Sequence, residues 1–286
     1  MRVKIILIFL LFFGLFSCEN DTEISTPNPE NIDPNLTIFF VNDQHGRIDN
    51  FSKVKAVVDE ARADGNVLLV CSGDIFAGNP IVDQFSEQGF PMVDIMNEVG
   101  FDVATIGNHE FDFGTAVLAD RIDQSSFPWI LANVDASNSV INQPEPFVTL
   151  TVGEFTVTFL GLIETNGKEN DIIPSTHPLR VDDLSFQRHQ NVIRNYENLK
   201  AQEGADVLVG LTHLGSGSDR ELAQNNPFFD FIIGGHSHEL VNTKVNGVPI
   251  VQAGSNLQFL GRIDLVIEDK EVVDFSFTNI NLSQKL

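Results

Sequence analysis

Five short stretches hold the residues best suited to chemistry: Asn42-Asp43-Gln44-His45-Gly46, Gly73-Asp74, Gly107-Asn108-His109-Glu110, Thr212-His213 and Gly235-His236-Ser237-His238. Each directly follows an apolar, strand-like run. Asp, His and Asn side chains are thereby placed at the ends of neighbouring strands, with no Cys among them. Nitrogen and oxygen donors without thiolate suit divalent metals such as Zn²⁺, Mn²⁺, Fe²⁺ or Co²⁺. Two such ions held close together are one way to hydrolyse a phosphate ester.

Taken singly, the signals are ordinary. Asp43 and His45 alternate along extended chain and so project to one side, but that spacing often arises by chance. His236 and His238 share it, after two glycines that let the backbone come close. A histidine pair of this kind serves metal binding or plain hydrogen bonding equally well. By itself Asp74, after Ser72-Gly73, reads as a helix N-cap, and Asn108 and His213 read as polar loop residues. Gathered at strand ends they form an inventory for two metals sharing one carboxylate. His177 and His189 fall in a loop and on a polar helix face, and both read as solvated.

The elements that must position these residues are visible as runs of Val, Ile, Leu and Phe: 36–41, 67–70, 101–106, 155–162, 207–211 and 228–233. Their near-continuous apolarity predicts strands buried on both faces. Helical spacing lies between them: Val54, Val57, Val58 and Ala61 ahead of a C-capping Gly65, then Val93, Met96 and Val99 ahead of Gly100. Phe186, Ile193, Tyr196 and Leu199 predict a longer helix before Gly204. Asn246-Gly247 and the segments flanking Glu268-Asp269-Lys270 are hairpin signals. Strand–helix alternation followed by antiparallel closure predicts an α/β fold with two sheets sandwiched between helices, and ligands in such folds gather outside the carboxyl ends of strands.

In that order, Val41-Asn42-Asp43-Gln44-His45-Gly46-Arg47, Ser72-Gly73-Asp74, Thr105-Ile106-Gly107-Asn108-His109-Glu110-Phe111-Asp112 and Gly234-Gly235-His236-Ser237-His238 resemble the motifs of calcineurin-like metallophosphoesterases. More narrowly, they resemble the catalytic domain of the bacterial 5′-nucleotidase/UDP-sugar hydrolase family. Phe127-Pro128-Trp129 leading to Ala132-Asn133-Val134 is similar to a connecting segment of that family. The resemblance implies a four-layer α/β/β/α sandwich of two mixed sheets. It implies two divalent metals, one on Asp43, His45 and His238 and the other on Asn108, His213 and His236, bridged by Asp74 about 3.5–4 Å apart. It further implies hydrolysis of phosphate esters, nucleotides foremost, by in-line attack of a metal-bound hydroxide. His109 would stabilise the departing oxygen and Asp112 would orient His109. Glu110 acquires no role. A sulfur-ester hydrolase on the same centre is a lesser alternative, and a non-catalytic metal-binding subunit or surface lipoprotein that retains the fold is an alternative of another class.

Composition sets outer limits. A formal net charge of −23 repels nucleic-acid backbones, so no nucleic-acid partner is expected. It would repel phosphate substrates too, unless two dications outweigh Asp43 and Asp74 locally. Arg2 and Lys4 followed by an apolar run over 5–16, too short to span a bilayer, predict a secretory signal over 1–17. Leu15-Phe16-Ser17-Cys18 resembles a bacterial lipobox, which implies lipidation at Cys18, a flexible tether over 18–35 and a body over 36–286. The expected location is therefore outside the cytoplasm, lipid-anchored to a membrane. With Cys18 acylated, Cys71 would have no disulfide partner and reads as a buried small hydrophobe. The family's nucleobase-binding second domain is expected to be absent after Leu286, which leaves three readings open: a separate polypeptide supplies it in trans, the substrate differs, or specificity is loose. The 24 phenylalanines read as core, with Phe76 and Phe228-Phe229 nearest the motif loops.

Overall fold

Alternation within the apolar runs sets the layers. In the strand Leu36–Val41, Ile38 and Phe40 face one core while Phe39 and Val41 face another, and all four are buried. The strand Val67–Cys71 does the same, with Leu68 and Val70 on one side and Leu69 and Cys71 on the other. A strand covered on both faces has no solvent side to mark with polar residues, which accounts for the unbroken hydrophobic runs. The structure, a computed structural model, describes residues 34–284 and the strand Thr22–Glu23. The expected signal, Cys18 and nearly all of the expected tether lie outside the described residues.

Two large mixed sheets face each other. One has six strands in the order Glu271–Asn281, Phe259–Glu268, Leu36–Val41, Val67–Cys71, Val103–Thr105, Trp129–Ile130. Its last four are parallel and its first two form an antiparallel hairpin. The other has seven: Thr22–Glu23, Leu240–Val245, Val248–Ala253, Phe231–Ile233, Val207–His213, Phe155–Ile163, Phe147–Val152. It too has a parallel centre with antiparallel flanks. The core between the sheets draws Phe40, Val70 and Ile263 from one, and Phe159, Val209 and Ile233 from the other. Helices Phe51–Asp64, Phe90–Val99 and Thr115–Gln124 cover the six-stranded sheet through a second core. The helical segment 189–203 and the helix Ser216–Asn225 cover the seven-stranded sheet through a third. The result is the expected α/β/β/α sandwich.

Local details follow their sequence signals, with three corrections. Gly100 caps its helix in the left-handed region (φ 82°), donating to Met96 O. Asn246-Gly247 and Asp269-Lys270 both turn their hairpins with positive φ. Gly65, however, leaves its helix in extended conformation rather than as a left-handed cap. The long helix expected over Phe186–Leu199 is broken: Ser185–Phe186 is a short strand paired with Val134–Asp135, followed by the turns His189–Val192, Ile193–Tyr196 and Leu199–Glu203. Phe186 packs edge-on against Phe111 (ring centroids 5.9 Å apart), a tertiary contact that outweighs helical spacing. His189, read as solvated, is buried, because Val192 and Ile193 of its segment share a core with Leu222 and Ala223 of the helix Ser216–Asn225. Phe76 and Phe229 are core residues, and Cys71 is buried, with no disulfide partner among the described residues and a pKa that burial pushes up.

Candidate metal centre

Parallel strands of both sheets end at one rim, and the motif loops leave from it. Asp43, His45, Asp74, Asn108 and His109 come from the six-stranded sheet; His213, His236 and His238 come from the seven-stranded one. Backbone bonds extend the ladder past the strands: Asp43 N donates to Gly73 O (3.0 Å), and His45 N to Asp74 O (3.0 Å). Across the sandwich, His213 Nδ1 lies 2.7 Å from Ser72 O. A carbonyl can only accept, so Nδ1 carries the proton and Nε2 is the ring atom left to face the centre.

The inward atoms form two groups. Asp43, His45, Asp74 and His238 converge in one, and Asp74, His213 and His236 in the other, so Asp74 is common to both. In the first, His45 Nε2 and His238 Nε2 are 2.9 Å apart, and His238 Nε2 is 3.3 Å from Asp43 Oδ1. In the second, His213 Nε2 lies 3.1 Å from Asp74 Oδ2 and 3.2 Å from Asn108 Oδ1, and His236 Nδ1 is 2.9 Å from that same Asn108 oxygen. The Asn108 amide is oriented by its other end, since Nδ2 donates to Ser175 O (3.1 Å). Ser175 N in turn donates to the Glu164 carboxylate, which pins this loop.

This donor set fits cations. Neutral imidazole lone pairs, carboxylate oxygens and an amide oxygen all point at the same two places, and acceptors can share such places only around a proton or a metal. The electrostatics agree. Burial by itself lowers the His213 pKa, yet the Asp74 carboxylate raises it to about 10. Burial likewise penalises the Asp74 charge, but His213 and the His109 backbone N–H hold that carboxyl below its usual range. Strong negative potential is thus focused where His213 points.

The backbone is bent to achieve this. Asp43 (φ 52°), His45 (49°), Asp74 (56°), His236 (77°) and His238 (59°) all occupy the left-handed region, which side-chain-bearing residues visit at a cost of order 1–3 kcal/mol each. Asp74 is therefore no helix N-cap. Its loop is gripped instead by Glu110, which is fully buried and accepts four backbone N–H bonds: Ile75 (2.7 Å) and Phe76 (3.1 Å) on Oε1, Asp74 (2.8 Å) and Gly107 (2.7 Å) on Oε2. Burial and the Asp74 charge push the Glu110 pKa up to about 7 against those donors. Gly107 must be glycine here, because a Cβ would sit 2.5 Å from Asp74 N.

His109 stands beside the two groups, its ring edge-on to His45 with centroids 4.9 Å apart. Nδ1 pairs with Asp112 Oδ2 at 2.7 Å, and this bond raises the His109 pKa to about 9 despite partial burial. The ring is thereby kept protonated at neutral pH. A cleft of about 490 Å³, lined by Asp112, Thr176, His177, Leu179 and Arg180, opens next to the dyad.

All nine expected site residues in the body lie at this rim. Sequence reasoning missed the roles of Glu110, of Asn42 and of Asp219 with Gln252. Asn42 Nδ2 donates to Asp43 Oδ2 (2.7 Å) and Gly254 O (2.6 Å). Asp219 and Gln252 are fully buried behind the histidines. Glu110 lies within a recognised motif, but its partners are backbone amides that no residue pattern reveals, and Asp219 and Gln252 carry no local mark.

Residues 36–240 match the calcineurin-like phosphoesterase family. The chain is similar to the trifunctional nucleotide phosphoesterase YfkN of Bacillus subtilis (strain 168), at 28% identity over 306 residues, covering 94% of this chain and 21% of that protein. It is similar to a 2′,3′-cyclic-nucleotide 2′-phosphodiesterase/3′-nucleotidase of Haemophilus influenzae, at 27% identity over 264 residues, covering 75% of this chain and 38% of that protein. The fold matches a 5′-nucleotidase precursor from Thermus thermophilus with a TM-score of 0.75 at 24% identity, covering 86% of this chain and 54% of that one. The chain thus spans about half the length of these relatives or less.

Proposed function

This chain belongs to the calcineurin-like phosphoesterase family, and from that membership and the geometry of its centre we propose that it hydrolyses phosphate esters of nucleotides with two divalent metal ions. One observation carries the reading: seven donor side chains from five strand ends of both sheets converge in two groups that share Asp74. Asp43, His45, Asp74 and His238 would hold one ion; Asp74, Asn108, His213 and His236 would hold the other. When bound, the pair supplies Lewis-acid charge for the phosphoryl group and lowers the pKa of water.

The chain's own residues supply the rest. His109, kept protonated by Asp112, presents Nε2–H beside the centre, where it can hydrogen-bond the phosphoryl or leaving oxygen and pass it a proton as the ester breaks. Asp112 retains the ring's orientation and stabilises its charge. The cleft lined by Arg180 and His177 offers room and positive charge for the rest of the substrate. Nucleotides are favoured over other esters because both curated relatives are named for nucleotide or cyclic-nucleotide hydrolysis. Work outside the cytoplasm on a lipid anchor rests on Arg2, Lys4, the apolar run and Cys18, and so on sequence alone. Among the described residues no helix is long and apolar enough to cross a membrane.

The test is phosphate release from AMP, UDP-glucose, a diester and an aryl phosphate by the body loaded with Mn²⁺ or Zn²⁺, with His109→Ala as control. Metal-dependent turnover of AMP or UDP-glucose that falls about 10²–10⁴-fold in the variant is the expected result. Turnover of the aryl phosphate alone would keep the hydrolase and overturn nucleotide recognition by this chain. No turnover with two metals bound would favour a binding subunit.

A further inference from the structure

Behind the histidines runs a buried chain of hydrogen bonds that the proposed reaction does not use. Thr212, next to His213, donates from Oγ1 to Asp219 Oδ1 (2.6 Å). Gln252 Nε2 donates to Asp219 Oδ2 (3.1 Å), and Ser237, between His236 and His238, donates from Oγ to Gln252 Oε1 (2.7 Å). Ser216 N closes the chain by donating to Ser237 Oγ (3.3 Å). Thr212, Asp219 and Gln252 are fully buried. The space is tight as well, since a Cβ on Gly234 would collide with the Asp219 carboxylate. Four elements meet here: the strand Val207–His213, the helix Ser216–Asn225, the strand Val248–Ala253 and the loop carrying His236 and His238.

We infer that Asp219 is a positioning residue that sets the direction of this chain and thereby holds His213, His236 and His238 in place for both metals. The inference rests on the two-metal reading above. Its logic is donor and acceptor arithmetic. Burial pushes the Asp219 pKa up to about 7; in its ionised form Oδ2 can only accept from Gln252, so the Gln252 amide then turns its nitrogen toward Asp219 and its oxygen toward Ser237. The Ser237 hydroxyl must then donate to Gln252, which leaves its lone pairs for Ser216 N. Every rotor is fixed by one carboxylate, and the fixed residues are covalent neighbours of the three histidines. Those histidines are divided between the two groups, His238 in one, His213 and His236 in the other. One buried side chain therefore acts on both metal positions together. A polar network that is satisfied throughout rigidifies what it touches, whereas one reversed member leaves two donors face to face.

The test exchanges the two partners. Asp219→Asn leaves one acceptor for two donors, so either the Thr212 hydroxyl or the Gln252 amide must reverse, and Gln252→Glu sets two carboxylates together. The double variant Asp219→Asn/Gln252→Glu again matches each donor to an acceptor, because the amide introduced at position 219 can donate to the new carboxylate while that carboxylate still accepts from Ser237. The full chain is stripped with chelator and titrated with Mn²⁺, reading stoichiometry and affinity by calorimetry, alongside the melting temperature without metal. Each single variant should weaken both metal sites by about 10–100-fold, the range for outer hydrogen-bond partners of metal ligands. The double variant should recover most of that loss. Thr37→Val removes a buried hydrogen bond to Asp264 (2.7 Å) that lies outside this chain of hydrogen bonds, so it should lower the melting temperature while leaving affinity near wild type. Wild-type affinity in Asp219→Asn, or additive losses in the double variant, would overturn the inference. An affinity loss in Thr37→Val as large as in Asp219→Asn would also overturn it, by reducing the effect to general stability. Failure of the wild type itself to bind two ions would overturn the two-metal reading instead.

Discussion

Glu110→Gln exchanges one oxygen for an NH₂ group at the point where four backbone N–H groups converge. Whichever oxygen is replaced, two N–H groups lose their acceptor and meet a donor: Asp74 with Gly107, or Ile75 with Phe76. Hydrogen bonds to a charged group contribute about 1.5–3 kcal/mol each, so losing two costs about 3–6 kcal/mol. That is a large share of the roughly 5–15 kcal/mol that keeps a domain folded. The local consequence is sharper. Asp74 sits at φ 56° because its N–H and the next two are held by Glu110, and without that grip the loop can relax toward negative φ. The carboxylate common to both metal groups would move with it. Urea unfolding of the metal-free protein measures the first effect, and calorimetric titration with Mn²⁺ measures the second. The expected outcome is a midpoint shift equivalent to several kcal/mol and fewer than two tightly bound ions. A variant that loses less than about 1 kcal/mol, a typical neutral hydrogen bond, and binds two ions as tightly as wild type would refute the reasoning.

Two further outcomes follow from other parts of the structure. Arg180→Ala should raise KM for a nucleotide by about 10-fold, the lower end for a charged hydrogen bond, and leave an aryl phosphate nearly unaffected, as steady-state kinetics on both substrates would show. His189 is buried, its Nε2 has no hydrogen-bond partner among the described residues, and burial lowers its pKa. The unfolded chain therefore binds a proton near pH 6.5 that the folded chain resists, so stability present above that pH is lost as pH falls through it. Urea midpoints from pH 7.5 to 5 should decline less in His189→Gln than in wild type.

Much of this molecule is legible in its amino acids alone. Runs such as Leu36–Val41 and Val67–Cys71 identify doubly buried strands, because covalent alternation places every second residue on the opposite face and both faces here are covered. The residues after those runs mark the rim. Local spacing misleads where distant contacts prevail over it. Phe186 obeys helical periodicity, yet it pairs in a two-stranded ladder and meets Phe111. His189 looks solvated in its own segment and is buried by a helix that arrives later in the chain. Asp219 and Gln252 lie 33 residues apart and acquire meaning only through each other. Glu110 stands within a recognised motif, but a residue whose partners are four backbone amides leaves no trace in side-chain spacing.

The hairpin Phe259–Glu268 with Glu271–Asn281 joins the six-stranded sheet beside Leu36–Val41, and Thr37 bonds Asp264 across 227 positions of sequence. The first strand of the body is thus completed by nearly the last. A ribosome releases Leu36 long before Asp264, and in that interval Leu36–Val41 presents an unpaired apolar edge. Long-range closure of this kind is slow to fold. The newly made chain therefore cannot complete this sheet until its tail arrives, and until then the open edge is exposed to aggregation.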